Sequence, residues 1–220
     1  MQIESNKLKK YAFINGKIYY PLKNKIIPGN VIVQDGILKD LNYKGSLEGF
    51  EIINCKEKIL SPGFLDIRSH FGEPEEEDIE SFETGANAAL AGGFTKVCIA
   101  PNTHSMLDTP EIIDSIKRKS EYLDISIFPI GCISKNMEGK ELSEIGLMVD
   151  NGAVAISDGK NSIRNAQLMK NALEYAKMFD IPVINFPKDK TLSNNGIANE
   201  SFFSTKMGLP ASPSISESII

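Results

Sequence analysis

Residues 61–100 read SPGFLDIRSHFGEPEEEDIESFETGANAALAGGFTKVCIA, and this stretch decides the fold. Gly63–Ile67 is a short apolar run bounded by a turn signal, long enough for a strand and too short for a helix. The acidic lead-in EPEEEDIE puts carboxylates near the start of a helix over about Ile79–Ala91, where the helix dipole favours them. Gly92-Gly93 stops that helix, and FTKVCIA follows as the next strand. The alternation then repeats. Thr109 and Pro110 supply a cap and a proline at the first helical position for a helix to about Tyr122. The strand ISIFPIG follows, then a helix over roughly Glu141–Val149 that stops at Asn151-Gly152. Strand AVAIS, a helix over Asn165–Phe179 and strand IPVINF complete the run. Strand–helix alternation with short loops predicts an α/β fold with a parallel sheet, either doubly wound or a barrel. No glycine-rich nucleotide fingerprint follows the first strand, which lowers the dinucleotide-binding option.

Working outward toward the N-terminus, residues 1–60 have a different periodicity and predict a small β-rich flanking domain, with residues 61–220 as the first part of the barrel domain. Short β-rich runs are broken by Asn15-Gly16 and Asp35-Gly36, pairs that supply the positive φ angles of tight hairpin turns. Residues 51–60 add one or two strands, giving a small antiparallel sheet or partial sandwich. Toward the other end, SPSISESII reads as the start of a helix. An eight-stranded barrel needs further strands, so the expectation is a piece of a longer protein.

The 220 residues carry a formal charge of −5, with 41% hydrophobic and 24% charged residues. No basic stripe is present for nucleic acid, and no apolar run approaches the length of a membrane span. The polar start MQIESNKLKK does not read as a secretory signal, so the cytoplasm is expected. Cys55, Cys98 and Cys132 are far apart, and Cys98 and Cys132 sit in apolar runs that suit reduced, buried thiols.

The run PGFLDIRSHFGEP resembles the signature that dihydroorotases, members of the amidohydrolase superfamily, carry at the end of their first barrel strand. FETGANAALAGGFTKVCIAPNT, GAVAISDG, NAQLMKNALEYAKMFDIPVI and MGLPASPSISE are similar to the same family, in the same order. The resemblance implies a (β/α)8 barrel of the TIM type, present in part, behind a small N-terminal β segment. It also implies where metal and substrate residues should stand. The family pattern has a His-x-His pair whose members, two apart on a strand, face one metal. This sequence has Arg68 at the first position and His70 at the second. Arginine cannot shed its proton to become a ligand, and its charge repels a divalent cation. An arginine that clamps substrate is replaced by Gly72. After the fourth strand, Asp158 fills the first position of an aspartate pair and Gly159 the second; after the fifth, Asn185 stands where a ligand histidine is expected. Asn102 matches a substrate-contacting asparagine, and His104 has no matching ligand role.

These departures make His70 and Asp158 a remnant metal pair at most, and Arg68 could instead pair with Asp158 in the vacated position. The leading expectation is a catalytically inactive dihydroorotase-like protein of pyrimidine biosynthesis with a structural or regulatory role and no cofactor. The resemblance implies aspartate carbamoyltransferase as a partner, and a homo-oligomer is also compatible with it. Two other readings stay open. One is an active, zinc-dependent hydrolase interconverting dihydroorotate and N-carbamoyl-aspartate, with its site completed by residues beyond this sequence. The other is a small-molecule binder that keeps the pocket without the reaction.

Overall fold

The computed structural model describes residues 9–102, 106–193 and 195–220. Contacts divide the chain into two compact units, with the boundary between Gly63 and Phe64.

The first unit is one sheet. Strands β1 (Lys10–Tyr20), β2 (Lys25–Gln34), β3 (Ile37–Asp40) and β4 (Glu51–Asn54) run in the order β3-β2-β1-β4, and β5 (Ile59–Leu60) also pairs with β1. β1 is antiparallel to β2 but parallel to β4 and β5, so the sheet is mixed and not purely antiparallel. Asp35 (φ 54°) and Gly36 (φ 74°) make the expected tight turn between β2 and β3. Asn15-Gly16 does not make a turn. Ile14 and Asn15 lie opposite the single residue Asn30, a β-bulge inside a continuous strand. The positive φ of Asn15 (61°) serves that bulge, and its N–H donates to Asn30 Oδ1 at 3.1 Å.

The second unit alternates strand and helix as its sequence requires. β6 (Phe64–Ser69), α1 (Phe82–Ala91), β7 (Phe94–Ile99), α2 (Pro110–Ser120), β8 (Ser126–Gly131), α3 (Ile145–Asp150), β9 (Ala155–Ser157), α4 (Ala166–Met178) and β10 (Val183–Ile184) follow in turn. The five strands pair in parallel in the order β10-β9-β8-β7-β6. Beyond them lie α5 (Lys190–Ser193), β11 (Ala198–Asn199), α6 (Phe202–Lys206), β12 (Ala211–Ser212) and α7 (Ile215–Ser218).

Two helices differ in extent from the sequence expectation, and capping explains one of them. α1 begins at Phe82 because Ser81 and Thr84 form a reciprocal capping box, leaving the acidic run 73–80 in the loop. α3 begins only at Ile145, since Leu142 is held in a β-bridge to Ser134.

The main core lies between sheet and helices. Val97 and Ile99 of β7, Ile127 of β8 and Ile156 of β9 pack with Ile113 and Ile116 of α2, Met148 of α3, and Leu168, Ala172 and Ala176 of α4. The spacing 168, 172, 176 is one face of a helix, which is why α4 lies along the sheet. On the opposite face, Ala100, Ile130 and Ala155 form a smaller cluster with Cys98 and Ile184. β6 and β10 are the outer strands of this sheet, and Phe64, Leu65 and Ile67 of β6 are exposed.

Candidate functional site

The C-terminal ends of β6 to β10 carry the candidate residues, as a parallel α/β arrangement dictates. Arg68 and His70 are two residues apart on and just after β6, so they share a face. The Arg68 guanidinium lies 5.6 Å from the centroid of the Phe186 ring, just beyond β10. β6 and β10 are at opposite ends of a five-stranded order and would be about 19 Å apart in a flat sheet. The contact therefore requires a strongly curled sheet, which is the geometry of a partial barrel.

His70 Nδ1 donates to the Ala100 carbonyl at 3.2 Å, leaving Nε2 as the free ring nitrogen of the neutral imidazole. His70 lies at an exposed rim, and the part of the ring that is covered loses hydration when charged. That desolvation, with the positive charges of Arg68 and Lys160, holds its pKa below the ordinary histidine value against the opposing pull of Ala100 O and Asp66. A cavity of about 310 Å³ joins His70 to Asn102, Lys160 and Asn161.

Asp158 is only 2% exposed and is turned to other work. Its Oδ1 accepts from the Ile133 and Ser134 N–H groups at 2.7 and 2.9 Å, and its Oδ2 accepts from the Ser134 hydroxyl. Burial raises its pKa, partly offset by these hydrogen bonds. The Arg68–Asp158 ion pair expected from the sequence is not formed: the carboxylate is spent on the loop after β8, and Arg68 is packed on Phe186.

The two substituted glycines are closed in by backbone. A Cβ at Gly72 would lie 2.8 Å from the Glu80 carbonyl oxygen and closer still to that of Glu76. The Gly72 carbonyl itself accepts from Glu76 N–H at 2.9 Å, so the loop is wrapped around this residue. At Gly159, φ is +58° and a Cβ would lie 2.5 Å from the Pro101 carbonyl oxygen. Neither position has room for the arginine or aspartate of the family pattern.

Asn185 is not brought to His70. It lines a separate cavity of about 740 Å³ with Val183, Met169 and Leu173, beside α4. Strand alternation places Phe186 on the face that meets Arg68. The sequence places Phe186 and Lys188 in the run after the fifth strand without a role for either, and it does not mark Lys160; both lysines border a cavity of about 390 Å³ with Phe186 and Lys190. The period-two pattern through Ile184 and Phe186 was the available signal. His104 lies outside the described residues.

Among the described residues, the donor set does not fit zinc. Arginine and phenylalanine are not ligands, Asp158 is committed to two N–H groups and a hydroxyl, and among the described residues His70 alone offers an imidazole nitrogen. Among the described residues, no group of three or more His, Cys, Asp or Glu side chains is placed to hold a metal. A catalytic zinc takes three protein ligands. Cys132, fully buried, has its thiol pKa driven well up by burial and is inert as a thiolate. Among the described residues, no helix is long and apolar enough to cross a membrane.

Comparison with known proteins gives a consistent result. A dihydro-orotase-like family model matches residues 57–219. The chain is 39% identical over 192 residues to a dihydroorotase of Acetivibrio thermocellus, covering 87% of this chain and 45% of that protein. It is 38% identical over 209 residues to a dihydroorotase of Caldicellulosiruptor saccharolyticus, covering 94% and 49%. The chain thus spans about half the length of the curated relatives it matches. Among solved structures, a D-hydantoinase superposes with a TM-score of 0.65 at 17% identity, over 86% of this chain and 44% of that one. A dihydropyrimidinase from Brevibacillus agri gives 0.65 at 17%, over 84% and 41%. These likenesses support the fold: α/β, with a curled parallel sheet corresponding to part of an amidohydrolase barrel. With its signature runs in order and the family model covering most of its length, the chain belongs to the dihydroorotase-like family.

Proposed function

We propose that this chain is a dihydroorotase-like protein that does not assemble a catalytic zinc centre and serves pyrimidine biosynthesis in a structural or regulatory role. The observation that carries this reading is Arg68, at the first position of the His-x-His pattern, packed on Phe186. A fixed cation stands where a ligand would be needed, and backbone fills the space around Gly72 and Gly159. Hydrolysis of a cyclic amide on this fold relies on a metal to polarise the carbonyl and activate water. The test is dihydroorotate hydrolysis, and the reverse closure of N-carbamoyl-aspartate, with zinc supplied. No turnover above background is expected, and turnover abolished by His70→Ala would overturn the reading in favour of the zinc hydrolase.

The structural role implies a protein partner. Aspartate carbamoyltransferase is the partner that family resemblance suggests, and self-association is the other arrangement. Co-purification of the two proteins, with the chain's own mass measured in solution, tests both. A second reading, a metal-free small-molecule binder, is favoured by the lysines around Phe186.

A further inference from the structure

We propose that the mouth around Phe186 is a metal-independent binding site for a small molecule with two anionic groups, contacted by Lys160 and Lys188. The inference deepens the binder reading and rests on the site being free of metal.

Four observations carry it. First, the cations converge. Lys160 and Lys188 border one cavity of about 390 Å³ with Phe186, and Arg68 lies over the Phe186 ring. Lys160 also borders the His70 cavity, which Glu76 lines as well. This concentration occurs in a chain whose formal charge is −5.

Second, the two lysines are not held in ion pairs among the described residues: neither Lys160 nor Lys188 has a carboxylate within ion-pair distance, and the Arg68 guanidinium donates no hydrogen bond. Of the neighbouring cations, Lys190 donates to the Asn161 amide oxygen at 2.5 Å and keeps its charge, and Arg164 pairs with Asp189 at 3.5 Å. Two ammoniums that face one cavity and are not held in ion pairs attract anions, more so beside a low-dielectric wall such as the Phe186 ring.

Third, the loops are built and not merely exposed. The Ser162 hydroxyl oxygen lies 2.6 and 2.7 Å from the Phe186 and Lys188 carbonyl oxygens, donating to one at a time, and accepts from Lys188 N–H at 3.1 Å, which ties the turn after β10 to the loop after β9. Asn161 N–H donates to the Asp158 carbonyl at 2.9 Å, fixing the same loop from its other side. Lys160 and Lys188 therefore face one cavity from two anchored loops.

Fourth, the cavity is at the lower end of the volumes that hold small ligands. Two lysine ammoniums facing one cavity from separate loops suit two separate carboxylates, or one phosphate with a carboxylate, better than a single monoanion.

The experiment is isothermal titration calorimetry on the EDTA-treated full chain at low ionic strength, where screening is weak. Four probes are compared: succinate, inorganic phosphate, acetate and uncharged succinamide. Succinate or phosphate should bind at least roughly tenfold more tightly than acetate, with no heat from succinamide. A preference for succinate assigns a dicarboxylate, and a preference for phosphate assigns a phosphate-bearing ligand. Lys160→Gln and Lys188→Gln should each weaken dianion binding about tenfold, as expected for one lost charge-assisted hydrogen bond. Neither side chain has an ion-pair partner among the described residues, so the variants should fold, and circular dichroism checks this. Equal affinity for acetate and both dianions, or full affinity in both variants, overturns the proposal. Zinc content is measured on the untreated protein, so finding metal there contradicts the metal-free reading separately from the anion result.

Discussion

The Arg68 guanidinium rests 5.6 Å from the centre of the Phe186 ring, joining the ends of the first and last strands of the five-stranded sheet. A cation–π contact of this kind is worth about 0.5–2 kcal/mol, and it holds the arginine at the mouth instead of letting it swing into solvent. Restoring histidine at this one position should not restore a metal site. In Arg68→His the pair His-x-His is complete, but Phe186 still supplies no third ligand. Zinc should stay well below one per chain by atomic emission, whereas the double variant Arg68→His, Phe186→His should bind measurably more.

Gly72 and Gly159 give a prediction on stability. Gly72→Ala forces a methyl against the Glu80 and Glu76 carbonyl oxygens, which are backbone and cannot rotate away. The cost should be about 1–3 kcal/mol in urea unfolding, typical of overpacking. Gly159→Asp should cost at least as much, because a left-handed φ of +58° adds strain to the contact with the Pro101 carbonyl. Wild-type stability in either variant would mean that the loop yields, and that the family side chain could return.

Much of the fold was legible in the sequence, because period and punctuation act locally. The 168, 172, 176 stripe, the Gly93 stop and the Asp35-Gly36 turn each follow from nearby residues. Asn15-Gly16 was misread because a bulge and a hairpin turn demand the same positive φ; only the partner strand, through Asn30, distinguishes them. At the site, Arg68 and the two glycines were legible as departures from a family pattern. That Phe186 and not Asn185 meets Arg68, and that Asp158 turns to Ser134, depends on which face each chain end presents after long-range pairing. Lys188 lies in the run after the fifth strand, but nothing local marks either it or Lys160 as a binding residue.

Asp158 should show its structural role through pH. Burial raises its pKa above the ordinary value of 3.8, so the folded state holds the proton more tightly than the unfolded chain does. The group's contribution is then fully present below 3.8 and is lost as pH rises through its folded pKa. Asp158→Asn, which has no such proton, should lack that loss. Urea midpoints of the two proteins should converge in acid and separate upward in pH, with the variant favoured. Asp158→Ala should instead be destabilised by about 1–3 kcal/mol at every pH, since the Ile133 and Ser134 N–H groups lose their acceptor.

Glu73 has the opposite sign. Desolvation pushes its pKa up, but the hydrogen bonds from Lys119 Nζ at 2.6 Å and Phe82 N–H at 2.8 Å outweigh it and lower the value below 4.5. Its stabilisation is present above 4.5 and disappears as pH falls through the folded pKa. Glu73→Gln should therefore cost about 1 kcal/mol at neutral pH, reduced by the half-exposed Lys119, and nothing in acid. Unfolding midpoints at the two pH values check this.

The most direct test of the account is the zinc content of the purified chain after equilibration with excess zinc and removal of free metal, measured beside His70→Ala. The account predicts far less than one zinc per chain and no difference between the two proteins. One zinc or more per chain, lost in His70→Ala, would contradict it.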